Sequence, residues 1–307
     1  MAQTTLINDI YGVVGSQGEI TDLNVDGKNI GLVRAVTGPG GGIRISDPTI
    51  EQEIIRLGGA EPYEHYFCHC FAGNHWSGDK KLYDLASGNH FTPGANLPIA
   101  TLWGAQGVAT TLKPATGALD SVLKAPAINF DYLAGEKLIF WWYGVATPEA
   151  SDVSLLGDGN STSFPGWRVR IKSTGKFDVG LHASSGNHYS AASPGVVFDG
   201  SPHTLAFAIN GATRTYGMWS DEAFYSPFGA QYANFSGQAA IDTKTSGVLN
   251  IGRARPTDGV DGAATATRAL VVLRLPSSAN MPQPAALTAL FQSLRAAPQK
   301  LLRKGAM

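Results

Sequence analysis

Five metal-capable side chains crowd one short stretch: His65, Cys68, His69, Cys70 and His75. Zinc sites usually pair Cys-x2–4-Cys with a distant second pair of ligands, and no such second pair follows here. Cys-His-Cys falls within an apparent strand over 66–71, where alternation sends Cys68 and Cys70 to one face and His69 to the other. Buried free cysteines behaving as small hydrophobes account for the pattern. Calcium fits the sequence better. Asp158, in Gly157-Asp158-Gly159-Asn160, and Asp258 with Asp261 offer loop carboxylates. Calcium takes 6–8 oxygen ligands, which these loops supply only jointly. Asp, Asn and Gly are also ordinary turn formers, the reading the sequence favours.

Nucleophilic and phosphate chemistry find no motif. There is no Gly-x-Ser-x-Gly elbow and no Gly-x-x-x-x-Gly-Lys loop. The glycine run at 38–42 lacks the strand-to-helix context of a dinucleotide fingerprint and reads as a connector. Aromatic side chains remain as the candidate binding groups. Trp141 and Trp142 must point to opposite faces of one strand, so at least one is core. Trp167 and Trp219 lie near hairpin ends, where exposure would make them platforms for a sugar or a protein partner. The stretch 221–237 carries Phe224, Tyr225, Phe228, Tyr232 and Phe235 with few charges. It reads as a long functional loop, expected to pack against a neighbouring subunit or ligand.

The elements that would hold these groups are mostly strands. The 307 residues are 43% hydrophobic but only 15% charged, with 37 glycines, against about 25% charged residues in an average domain. A net charge of −1 gives no global field toward nucleic acid or anionic membrane. No apolar run is long enough to span a bilayer. The first residues lack the basic and apolar regions of a signal peptide, and two cysteines so close in sequence suit a reducing compartment. Production in a cytoplasm without a secretion signal is therefore expected.

Along the chain, Ile20–Val25 and 28–33 flank Asp26-Gly27, a hairpin signal. Asp47, Pro48 and Gly58 punctuate a short helix with Ile50, Ile54 and Leu57 on one stripe. The run 137–145, KLIFWWYGV, is apolar on both faces, as a strand covered on each side requires. Arg168 to Lys172 alternates, with Val169 and Ile171 inward, and Ser173-Thr174-Gly175 turns it into a strand with Phe177, Val179 and Leu181 inward. Asn210-Gly211 marks another hairpin, with its second strand expected from Thr213. Leu287, Leu290, Phe291 and Leu294 mark a closing helix limited by Pro298, before a basic tail of Lys300, Arg303 and Lys304.

The order of these phrases resembles the concanavalin A-like superfamily in its laminin G-like branch. Leu82 to His90, LYDLASGNH, is similar to the opening phrase of such domains, and 137–145 to their aromatic strand. Residues 166–181 resemble the hairpin that follows. Residues 199–211 resemble the "DGxWHHVAxxxDG" segment, with Pro202 where Trp is usual, and Leu249-Asn-Ile-Gly-Arg253 resembles the late "LxIG" strand. The resemblance covers roughly 65–295. It implies a mainly β chain: a two-sheet jelly-roll sandwich over 63–283, a hairpin-plus-helix extension over 1–62, and a C-terminal helix and tail over 284–307. Sandwich glucanases of this superfamily carry Glu-x-Asp-x-x-Glu on one strand, supplying the two carboxylates that glycoside hydrolysis needs. That pattern is absent, which argues against an enzyme.

The ending, Phe291 to Leu302, also resembles the closing segments of laminin G-like structural proteins of tailed bacteriophages. That resemblance implies a capsid decoration, head fibre or tail appendage anchored to other virion proteins through 1–62, a homo-oligomer (a trimer by analogy) and a cell-surface glycan as target. It implies neither nucleic acid nor membrane insertion as partner, and no cofactor beyond calcium. The alternatives from other classes are a soluble carbohydrate-binding module and a glycanase without the usual carboxylates.

Overall fold

The computed structural model describes residues 91–95, 123–126, 130–158, 166–181, 198–226, 232–234, 248–252 and 265–296 in full, and elsewhere the backbone of the strands named below. At the N-terminus β1 (Gln3–Ile7), β2 (Ile10–Val14), β3 (Ile20–Val25), β4 (Lys28–Asn29), β5 (Arg34–Thr37) and β6 (Ile43–Ser46) form an antiparallel sheet in the order β1-β2-β3-β5-β6, with β4 on β3. Val25 pairs with Lys28, so Asp26-Gly27 makes the expected two-residue hairpin. The other strands extend the expected hairpin into a sheet. QTTLI and IYGVV alternate too weakly to be read as strands alone, and pairing makes them so. The helix expected over 48–57 lies outside the described residues.

The chain continues through β7 (Glu64–His69), β8 (Thr92–Pro93), β9 (Trp103–Gly104), β10 (Gly107–Ala109), β11 (Leu123–Pro126), β12 (Lys137–Ala146) and β13 (Val153–Gly157). Next come β14 (Gly166–Ile171), β15 (Phe177–His182), β16 (His188–Ala192), β17 (Pro202–Asn210), β18 (Thr215–Ser220), β19 (Ala223–Tyr225), β20 (Ala233–Asn234), β21 (Val248–Ile251), β22 (Thr265–Leu275) and α1 (Pro284–Ala296). Two antiparallel sheets form the sandwich. One has the order β19-β18-β17-β12-β22-β10-β9, with β20 on β18 and β7 on β22; the other runs β16-β15-β14-β13-β21-β11-β8.

The core between them takes alternate residues from each sheet. Leu138, Phe140 and Trp142 of β12 meet Val169, Ile171 and Trp167 of β14, and Trp167 packs edge-on against Phe140 and Phe207. The other face of β12, with Ile139, Trp141 and Tyr143, is buried under α1 through Leu287, Leu290, Phe291 and Leu294. The two tryptophans thus serve two different cores, and the unbroken apolar run of β12 follows from cover on both faces. Pro284 suits the first helical turn, where no N–H is needed.

The turns explain the register. Gly175, at φ +78°, closes the β14–β15 hairpin, with its N–H donating to the Lys172 carbonyl at 2.8 Å. The Asn210-Gly211 hairpin is longer than expected. Thr215, not Thr213, pairs with Asn210, because the Asn210 Oδ1 accepts the Ala212 N–H at 3.0 Å and holds a wider turn. A Cβ on Gly211 would collide with the Tyr132 carbonyl oxygen, so glycine is required there by close approach.

Candidate functional site

The two sheets differ in what their outer faces carry. That of β12, β17 and β22 is sealed by α1. That of the second sheet is polar, because Trp167, Val169 and Ile171 take the core side of β14 and leave Arg168, Arg170 and Lys172 on the other. Pairing extends this set across the sheet. Directly opposite residues share a face, so one row runs Gly180, Arg168, Gly157, Asn250, Lys124. A second row runs Asp178, Arg170, Ser154.

In the second row the charges are matched. Arg170 donates Nε and Nη2 to the two oxygens of Asp178 at 2.9 and 2.7 Å, a bidentate pair. These bonds raise the Arg170 pKa against the opposing effect of burial. Lys172 Nζ donates to Asp152 Oδ2 at 2.7 Å. Partial burial pushes the Asp152 carboxyl up, but Lys172, the Ser173 N–H and Arg170 outweigh it, and its pKa is lowered. In the first row Arg168 stands between two glycines, so no neighbouring side chain crowds it within the row. Gly157 is forced by packing, since a Cβ there would meet the Arg168 Cα at 2.8 Å. Asn250 is buried and anchored, its Nδ2 donating to the Val248 carbonyl at 2.9 Å. Arg170 and Lys172 thus share the carboxylates of Asp152 and Asp178, while Arg168 and Lys124 lie in the neighbouring row.

The aromatic candidates lie elsewhere. Trp167 and Trp219 are both fully enclosed, so neither is the binding platform that exposure at a hairpin end would have made it. Trp167 is in the sandwich core. Trp219 lies under α1, its ring centroid 5.2 Å from Phe291, and its Nε1 donates to Thr288 Oγ1 at 2.8 Å. The stretch 221–237 opens as a tight hairpin rather than a long loop. Ser220 pairs with Ala223, and Asp221 and Glu222 take left-handed backbone at φ +47° and +62°, as a two-residue primed turn requires. Phe224 and Tyr232 then pack on Trp219 at 4.9 and 6.5 Å, and the Tyr232 hydroxyl donates to the Pro282 carbonyl at 2.6 Å. These two rings cover the chain's own core. Tyr225 is half-buried at the end of β19; Phe228 and Phe235 lie outside the described residues.

Asp158 extends the β13–β14 ladder. Its N–H donates to the Trp167 carbonyl at 3.0 Å, and its Oδ1 accepts the Trp167 N–H at 2.8 Å. Burial drives the carboxyl well above the usual range, with the hydrogen bonds from Trp167 opposing it. Asp258 and Asp261 lie outside the described residues, as do the side chains of the His65–His75 cluster, and no metal-ligating trio occurs among the described residues.

A rim cluster not singled out from the sequence surrounds His203. Its Nδ1 is 2.8 Å from Asp221 Oδ2 and its Nε2 3.0 Å from Asp199 Oδ1, clasping the segment before β17 to the β18–β19 turn. Burial disfavours the imidazolium, but the bonds to Asp221 and Asp199 prevail and the pKa is raised above 6.5. A raised pKa adds stability that is full below the unfolded value and is lost as pH rises through the folded value. The melting temperature is therefore expected to fall as pH climbs above about 6.5, and His203→Gln should flatten that slope. Melting curves at stepped pH check this; equal slopes in both proteins would contradict it.

No protein-family model and no curated protein sequence matches the chain. Among solved structures, the binding domain of botulinum neurotoxin serotype G aligns with a TM-score of 0.44 at 8% identity, over 86% of this chain and 51% of that one. The serotype D binding domain aligns at 0.45 and 10%, over 74% and 50%. The CBM40 of the Ruminococcus gnavus IT-sialidase, bound to alpha2,3 sialyllactose, aligns at 0.36 and 16%, over 52% and 83%. The chain spans about half the length of the neurotoxin domains it matches. Likenesses this distant assign no residue role and no ligand.

Proposed function

We propose that this chain is a non-catalytic binding protein whose sandwich presents the polar face of β14, β13, β21 and β11 to a glycan. The observation that carries the reading is the row Arg168, Gly157, Asn250, Lys124, in which half-buried Arg168 and Lys124 flank Gly157, which has no side chain, and the buried Asn250. Sugar hydroxyls accept from guanidinium and ammonium groups, and a carboxylate on the sugar pairs with guanidinium in two parallel bonds. Cationic side chains at both ends of that row favour an acidic glycan over a neutral one. The laminin G-like resemblance and the separate N-terminal sheet further support a bacteriophage virion component, with the sandwich displayed and the first 62 residues engaged in assembly.

Two measurements test these statements. Peptide mass spectrometry across a density gradient of lysed producer cells should find the chain at fixed stoichiometry in the particle band; its complete absence there sinks the virion role and leaves a free carbohydrate-binding module. Incubation with acidic polysaccharides should release no new reducing ends, whereas steady release would make the chain a glycanase.

A further inference from the structure

The turn between β18 and β19 is built from residues that do not suit it. A two-residue primed turn needs left-handed backbone at both central positions, and Asn-Gly or Asp-Gly is the usual pair. Here the pair is Asp221-Glu222, at φ +47° and +62°. Left-handed backbone is costly for a residue such as glutamate, so other bonds must hold the turn in place. They come from β17. The Asp221 N–H donates to the Thr204 carbonyl at 3.1 Å, and Asp221 Oδ1 accepts the Thr204 N–H at 3.0 Å. Thr204 Oγ1 donates to Glu222 Oε1. The second Asp221 oxygen faces His203 Nδ1, while His203 Nε2 faces Asp199. The turn in its place keeps a cover closed. It holds β19 on β18 at the end of the sheet and lays Phe224 on Trp219. A Cβ on Gly217 would meet the Phe224 and Tyr232 rings at 2.8 Å, so both rings lie close against β18.

We infer that His203 is a pH-sensitive latch: when it loses its proton the Asp221-Glu222 turn is freed, and β19 lifts from β18 and from Trp219 while the sandwich stays folded. The geometry of the ring carries this. A neutral imidazole has one N–H, so it donates to one carboxylate and turns a lone pair on the other. Both bonds stand together only in the imidazolium. The charges acting on His203 are Asp221 and Asp199, and across the ladder it is opposite Gly144, which has no side chain. On the far side of Thr204 stand Glu222 and Arg295. Burial pushes the Glu222 carboxyl up, with Thr204 and Arg295 opposing this and Asp221 adding to it. The bonds to Asp221 and Asp199 raise the His203 pKa. The latch is therefore complete below about pH 6.5 and is lost as pH climbs through the folded value.

Hydrogen exchange of the full chain, read by mass spectrometry and corrected for the intrinsic effect of pH, tests the latch without any ligand. From about pH 6 to about pH 9, protection over 220–226 should fall at least about tenfold, as the loss of one charge-assisted bond implies. Protection over 137–146 and 205–209, in the centre of the same sheet, should hold. His203→Gln carries no charge and should show the low protection at both pH values. Glu222→Gly gives the turn its usual Asp-Gly pair and should stay protected at both. Constant protection in the wild type would overturn the inference. So would a pH-dependent loss that persists in His203→Gln, since it would belong to Glu222. A Glu222→Gly chain that opens like the wild type would show that the turn stores no strain, and simultaneous loss over 137–146 would mean global unfolding; either result overturns the latch.

Discussion

Trp219→Ala is expected to lower the unfolding free energy by about 3–5 kcal/mol, the range for emptying a buried aromatic site. The ring is the hub of the second core. Phe224, Tyr232 and Phe291 surround it at 4.9, 6.5 and 5.2 Å, so the neighbouring hairpin and the distant α1 meet on one side chain. Its Nε1 also ties the sheet to α1 through Thr288, whose Oγ1 donates in turn to the Pro284 carbonyl at 2.9 Å. Truncation therefore leaves a cavity and loosens the helix that seals the sheet. Urea unfolding measures the loss, and hydrogen exchange over 284–296 should rise ahead of global unfolding. Trp219→Phe should recover most of the packing but not the tie to Thr288. An unchanged urea midpoint in the alanine variant would show that α1 is held by other contacts.

Asp178→Ala is expected to cost a similar amount, about 3–5 kcal/mol, because it strips one partner from a largely buried ion pair. Asp178 is almost fully enclosed, and both its oxygens are taken by the Arg170 fork. Among the described residues the surviving guanidinium would keep Asp152, 3.8 Å away. Replacing both members by apolar residues of similar volume, Arg170→Met with Asp178→Leu, should restore much of the stability, since neither charge is then stranded. A thermodynamic cycle over the two single variants and the double variant checks this. Additive costs would mean that the pair acts as two independent surface groups.

What the sequence revealed tracked local pattern. The run KLIFWWYGVA announces a strand buried on both faces, and the stripe Leu287, Leu290, Phe291, Leu294 announces the helix that buries one of them. The Gly175 turn was equally readable, because a left-handed residue in a three-residue hairpin leaves a local mark. The fate of Trp219 was not. Its position near a hairpin end suggests exposure, and only the return of α1 from the C-terminal end of the chain encloses it. The candidate site was half legible: the alternation RVRIK puts Arg168 and Arg170 on one face, but Lys124 and Asn250 join them only through pairings that span 126 positions of sequence. A search for exposed aromatics also looks past such a row. The N-terminal sheet was hidden for a third reason: its short strands mix Thr, Gln and Gly with aliphatics, so no clean alternation marks them.

The central claim, that the outer face of the second sheet holds a glycan, is tested most directly on an array carrying acidic oligosaccharides beside their neutral parents. Wild-type chain and the Arg168→Ala/Lys124→Ala variant would be compared at equal concentration, with melting curves confirming that both are folded. The account predicts signal on acidic glycans that exceeds the neutral parents and falls at least about tenfold in the variant, as the loss of one charge-assisted bond already implies. Equal binding by the two proteins, or no binding by the folded wild type to any glycan, would contradict it.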